Sequence, residues 1–230
     1  MTKKEQEIYA ALVLIKTGQV SEPFSIDWAK DKPDLQIKDF GIEVVRAIDK
    51  KEAEQDKLDS KILKCENYDS AKEYINNLKY PESYRSTPRQ LPNSNRFSLV
   101  SGGGYDGEKH IELIKSTICR KSMKYLEYPN HQMYTRRGLY VFDDELRPCI
   151  QYLPFDSIIE AIISSVFDVM FIHQINKMII FEKNATCPHE IQLEGNIMLD
   201  IKCEVKRICK SPDYEVFCER VKSYNKSRHF

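Results

Sequence analysis

The sequence predicts a mixed α/β fold, with one sheet flanked by helices. Three observations carry that expectation. A helix-period apolar stripe opens the chain. Short β-branched runs follow near residues 41, 138, 169 and 178. Between those runs lie segments with helical spacing, and no internal repeat interrupts the order. Apolar residues make up 41% of the 230 and charged residues 30%, enough for a buried core and too apolar for wholesale disorder.

The first helix is expected from about Lys4 to Lys16. Ile8, Leu12 and Ile15 recur on one face, Tyr9 and Val13 widen it, and Gly18 ends it. A short strand is expected over Pro23–Trp28. Residues 32–37 lead to a turn at Lys38-Asp39, and Gly41–Ala47 forms the second arm of a hairpin. Asp49–Tyr80, charged and sparse in apolar residues, reads as an exposed helical excursion. Pro81–Asn95, with three prolines, reads as a loop. A long helix is expected at about Glu108–Tyr125, a strand at Gly138–Phe142 and a helix at about Asp156–Val166. Strands follow near Val169–Ile172 and Met178–Phe181. In the tail, Ile191, Leu193, Ile197, Leu199 and Ile201 alternate in a strand-like way. The expected division is a domain over residues 1–183, an insertion at about 49–107, and a C-terminal α/β extension over 184–230.

Lys plus Arg and Asp plus Glu both number 35, so the net charge is zero, which excludes coating of nucleic acid by bulk charge but not a local basic groove. The seven cysteines are widely spaced with no CxxC, as expected of reduced thiols in the cytoplasm. The longest mainly apolar run, Ile158–Ile172, still carries Glu160 and Asp168, so no membrane span is expected. Nor does the N-terminus carry a secretory cleavage site.

The residues that point to chemistry are Pro33-Asp34 and, after eight intervening residues, Glu43-Val44-Val45. A hairpin brings the end of one arm beside the middle of the other. Two carboxylates then converge, a donor set suited to a hard cation such as Mg²⁺ or Mn²⁺. The Val44 carbonyl offers a third oxygen, and a carboxylate from the first helix a fourth.

Pro33-Asp34 with Gly41-Ile42-Glu43-Val44-Val45, behind a helix bearing Glu5 and Glu7, resembles the PD-(D/E)XK nuclease superfamily, which includes restriction endonucleases and Holliday-junction resolvases. The resemblance covers roughly the first 60% of the chain. It implies a restriction-endonuclease-like core: a helix, a three-stranded meander, a crossover helix and a further strand. It also implies Mg²⁺-dependent hydrolysis of DNA, with Asp34 and Glu43 as the motif acids and Glu5 or Glu7 as the first-helix acid. Glu5 is preferred, because Ile8, Tyr9 and Leu12 follow it at i+3, i+4 and i+7.

The chain departs from the family at Val45, where the motif lysine belongs. On the 108–125 helix, Lys121 and Lys115 flank the stripe of Ile111, Ile114, Ile118 and Tyr125, and Lys124 faces away. Lys121, then Lys115, is the expected replacement. As a flanking residue, Lys121 is expected to be removable with little loss of stability. The alternative is an inactive nuclease-fold domain that binds nucleic acid or protein. DNA is the expected partner, with a second copy of the chain as another.

Other signals are weaker. Gly102–Gly107 satisfies G-x-G-x-x-G but reads equally as a flexible loop. Cys187-Pro188-His189 lacks a matching pair at zinc spacing, and His110 and His173 lack a nucleophile partner. Arg120, Lys121, Lys124, Arg136 and Arg137, interleaved with Tyr125, Tyr128 and Tyr134, form a candidate nucleic-acid face.

Overall fold

Residues 1–20, 32–48, 50–81, 84–101, 107–143, 155–185 and 187–210 are described in a computed structural model of the protein. The strand expected at Pro23–Trp28 and most of the glycine run, residues 102–106, lie outside the described residues.

Helix α1 (Lys3–Lys16) begins in a capping box: the Thr2 side chain accepts from the Glu5 amide, and the Glu5 carboxylate accepts from the Thr2 amide. It ends where Gly18 takes φ +73°, with Gly18 N–H bonded to Ile15 O and Gln19 N–H to Leu14 O, a Schellman closure. Residues 7–15 are all buried, so this is a core helix rather than an amphipathic surface one.

Strands β1 (Leu35–Ile37) and β2 (Phe40–Arg46) pair antiparallel around Lys38-Asp39. The turn is tied down by Thr135, whose hydroxyl donates to Asp39, and by the Arg136 amide, which donates to the Asp39 carbonyl. Gly41 is set by close approach rather than by torsion. A Cβ there would stand 2.6 Å from Pro33 Cγ and 3.0 Å from Tyr134 Cγ. Gly41→Ala is therefore expected to lower stability by about 1–3 kcal/mol, the usual cost of overpacking. An unchanged urea midpoint would show that Pro33 gives way freely.

The polypeptide then enters a separate compact unit, Ile48–His110, close to the expected insertion. It holds α2 (Lys50–Ile62), α3 (Tyr68–Asn76), β3 (Ser86–Gln90) and β4 (Phe97–Ser101). The Asp59 carboxylate accepts from the Tyr84 and Ser86 hydroxyls. Residues 86–90, expected as loop, form a strand instead, because Phe97–Val100 offers a partner. Pro88 is tolerated because each arm of a two-stranded ribbon has an open edge.

The other unit comprises Met1–Ala47 and the chain from Ile111 onward. It includes most of α4 (Gly107–Glu127), then β5 (Arg136–Phe142), α5 (Phe155–Ile163), β6 (Val169–His173), β7 (Lys177–Glu182), β8 (His189–Gln192) and α6 (Gly195–Lys210). Among the described residues its sheet has the order β1-β2-β5-β6-β7-β8. The central β2, β5 and β6 run parallel, and the flanking pairs are antiparallel. One face, with Phe40, Ile42, Val44, Tyr140, Phe142, Phe171, Met178 and Ile180, shares a core with α1 and α6. By alternation Glu43 projects from the opposite face, toward α4.

Two expectations for the C-terminal region are corrected. Residues 195–210 are helical, with Met198, Ile201, Val205 and Ile208 buried at spacings of three and four. The apparent alternation used Leu199, which is exposed, and ignored Val205 and Ile208. The segment is also no appendage: β8 extends the sheet, and Tyr9 of α1 donates to Met198 Sδ of α6 at 3.3 Å. Among the described residues no helix is long and apolar enough to cross a membrane. The described cysteines Cys65, Cys119, Cys187, Cys203 and Cys209 are free.

Candidate functional site

The candidate residues gather on the β1–β2 hairpin, with α1 over one face of the sheet and α4 reaching Glu43 on the other. Asp34 immediately precedes β1, and its Oδ2 accepts from the Val44 amide at 2.8 Å. β1 ends its pairing at Leu35↔Ile42, so the side chain of Asp34 takes the place a further strand residue would fill. In a strand the N–H and C=O of one residue share an edge, so the Val44 carbonyl lies on the Asp34 side.

The other Asp34 oxygen, Oδ1, accepts from Lys3 Nζ at 3.0 Å, and the same ammonium lies 3.3 Å from Glu7 Oε1. Glu7 is wholly buried, whereas Lys3 keeps 72% of its side-chain surface exposed. Two carboxylates beside it raise the Lys3 pKa, overcoming the opposing effect of partial burial. Glu5 is not at this centre, contrary to the preference drawn from helical spacing, because its carboxylate serves the Thr2 cap. The spacing argument failed because α1 is buried on all sides and has no single buried edge.

Glu43 occupies a strand covered on both faces, where an unpaired carboxylate would be expensive. Lys121 Nζ of α4 meets its Oε2 at 2.6 Å, and the two side chains are only 14% and 7% exposed. His131, on the 3-10 turn Pro129–Met133, places Nε2 3.6 Å from Glu43 Oε1. Neither its ring nitrogens nor the Tyr125 hydroxyl has a hydrogen-bond partner among the described residues. The His131 and Tyr125 rings pack at a tilt of 42°, with centroids 4.5 Å apart. Burial, with the Glu43 charge adding to it, raises the Tyr125 phenol and keeps it neutral.

Glu7 and Asp34 thus meet at Lys3, Asp34 is bonded to the Val44 amide, and Glu43, the residue before Val44, meets Lys121 and His131. Lys115 joins neither group. It sits six residues before Lys121, about 9 Å back along the helix, and pairs with Glu112 at 2.6 Å. The basic cluster is also dispersed: Lys121 is spent on Glu43, the Lys124 ammonium lies 5.8 Å from the Tyr128 ring centre, and the Arg136 guanidinium covers Phe40 at 4.6 Å. Sequence reasoning missed Lys3 and His131. The i,i+4 spacing of Lys3 and Glu7 was a legible signal for the first. His131 had none, being a lone histidine in an irregular segment.

The oxygen donors suit a hard cation, yet as the side chains stand no group of three or more His, Cys, Asp or Glu among the described residues is placed to hold a metal ion. The fold and centre define a mixed α/β protein whose six-stranded mixed sheet carries carboxylates paired with lysines from two helices. No protein-family model, no curated protein and no solved structure matches the chain.

Proposed function

We propose that the protein is a metal-dependent nuclease of the restriction-endonuclease-like type, hydrolysing phosphodiester bonds of DNA. The observation that carries this reading is the Lys121–Glu43 pair. An ammonium comes from a helix 78 residues away to Glu43, two residues before Val45, where the motif lysine is missing. The topology adds support: helix α1, an antiparallel β1–β2 pair, crossover helix α4, then β5 parallel to β2.

Asp34 and Glu43, with the Val44 carbonyl and Glu7, would hold Mg²⁺ or Mn²⁺. Such an ion supplies a bound water of lowered pKa and charge stabilisation at the phosphate. Lys121 keeps Glu43 oriented and presents positive charge to the anionic phosphate. The Val44 amide fixes the Asp34 carboxylate in the edge of the sheet.

Incubation with supercoiled and linear DNA in Mg²⁺ or Mn²⁺ tests this. The wild type is expected to cleave, and Asp34→Asn or Glu43→Gln to lose at least about 10²–10³-fold, the scale of one lost charge-stabilising group. No cleavage with either metal, together with no heat of Mn²⁺ binding, would sink it.

One observation favours a second reading, an inactive nuclease-fold domain that binds DNA or protein. Glu7 and Asp34 already share Lys3, and Glu43 already has Lys121. Retention of DNA in a gel shift without cleavage would select that reading.

A further inference from the structure

We propose that Lys3 is a built-in placeholder cation, which holds Glu7 and Asp34 in the metal-free protein and must swing out before a divalent cation can take those carboxylates. The proposal rests on the metal-dependent reading above and adds a control to that site.

Three observations carry it. The first is position: one ammonium stands 3.3 Å from Glu7 Oε1 and 3.0 Å from Asp34 Oδ1, bridging acids from two elements. The second is the asymmetry of burial. Both acids are buried and held by their backbones, while the Lys3 stem is 72% exposed at the first residue of α1. Rotation about that stem carries the charge into water without moving any core residue, and only the pairing holds it in. Lys121, by contrast, is enclosed at 14% exposure and cannot leave so easily.

The third is charge. Glu7 and Asp34 bring two negative charges against one from Lys3, a net of −1. With Lys3 withdrawn the net is −2, which matches a divalent cation. His131 is an independent sign that the centre is unfinished. It is 3% exposed, has no hydrogen-bond partner for either ring nitrogen among the described residues, and faces Glu43.

Lys3 and the metal then compete, and the apparent metal affinity is reduced by the fraction of molecules in which Lys3 is withdrawn. The test is calorimetric titration of Mn²⁺ into full-length wild type, Lys3→Met and Lys3→Arg, with thermal melts with and without Mn²⁺. Lys3→Met keeps the length of the stem and removes its charge. It is expected to bind Mn²⁺ roughly tenfold more tightly than wild type, as for an open form that is about a tenth of the population. Its melting temperature should rise more on adding Mn²⁺, and Lys3→Arg should behave as wild type. Binding by Lys3→Met alone, with none by wild type, supports the proposal equally. If wild type binds Mn²⁺ and Lys3→Met binds no more tightly, the placeholder role is wrong while the metal reading stands. If neither binds, the metal reading fails and takes this inference with it.

Discussion

Lys121→Ala is expected to lower the unfolding free energy by about 3–5 kcal/mol, the cost of leaving one member of a buried ion pair without its partner. This replaces the expectation that a lysine flanking an apolar stripe contributes mainly its stem. Glu43 is 7% exposed and Lys121 14%, so the pair is not screened as a surface pair would be. Against a typical total stability of about 5–15 kcal/mol, the loss is large. The double variant Glu43→Leu/Lys121→Met separates the stranded charge from lost packing. Replacing both members with apolar side chains is often close to neutral, so it should recover most of the loss. Urea unfolding at neutral pH reads both. A shift below about 1 kcal/mol for Lys121→Ala would mean that water reaches Glu43, and the centre would then be more open than described. In the nuclease reading the same variant also loses about 10²–10³-fold in turnover, measured well below its unfolding midpoint.

Acid is expected to destabilise the protein through His173, between about pH 6.5 and 4. The ring is buried at the end of β6, stacked on Phe142 at 5.5 Å and beside Tyr9 at 5.4 Å. Nδ1 shares a hydrogen bond with the Tyr140 hydroxyl. A protonated ring would carry its charge in a site almost wholly buried from solvent. Burial, with Lys202 adding to it and Asp143 opposing, pulls the pKa from 6.5 down to about 4. The sign follows. Above about 6.5 the ring is neutral in both states and costs nothing. As pH falls toward 4, the unfolded chain takes up a proton that the folded one refuses, so stability falls with pH and levels off below about 4. At 1.36 kcal/mol per pH unit the loss approaches roughly 3 kcal/mol. His173→Gln, whose amide can donate or accept toward Tyr140 but does not titrate, should flatten that limb. Urea midpoints for the two proteins at pH 7 and 4.5 decide it: equal losses would show that other groups drive the acid transition.

Local chemistry explains what could be read from the sequence. α1 has its start written in Thr2 and Glu5 and its stop in Gly18, all within one turn of the helix ends. The β1–β2 hairpin follows from a two-residue turn between β-branched runs, and α4 from Ile114, Ile118 and Tyr125 at helical spacing, all buried. The readings that failed turned on neighbours that a short window of sequence does not weigh. Residues 86–90 became a strand because residues 97–101 lie beside them, and α6 hid behind the accidental alternation of Leu199 and Ile201.

The sequence by itself determined that this is an α/β protein, where most of its helices and strands lie, and that Asp34 and Glu43 flank one hairpin. Those features rest on hydrogen bonds and apolar periodicity between residues a few positions apart. Only the tertiary structure decided that β2 runs parallel to β5 with Glu43 opposite Leu139, that Glu7 rather than Glu5 stands with Asp34, and that Lys121 rather than Lys115 meets Glu43. The physical reason is that a helical wheel ranks side chains by angle alone. Which lysine reaches a carboxylate depends also on its height along the axis and on where the sheet crosses it, and both are set by packing between segments nearly a hundred residues apart.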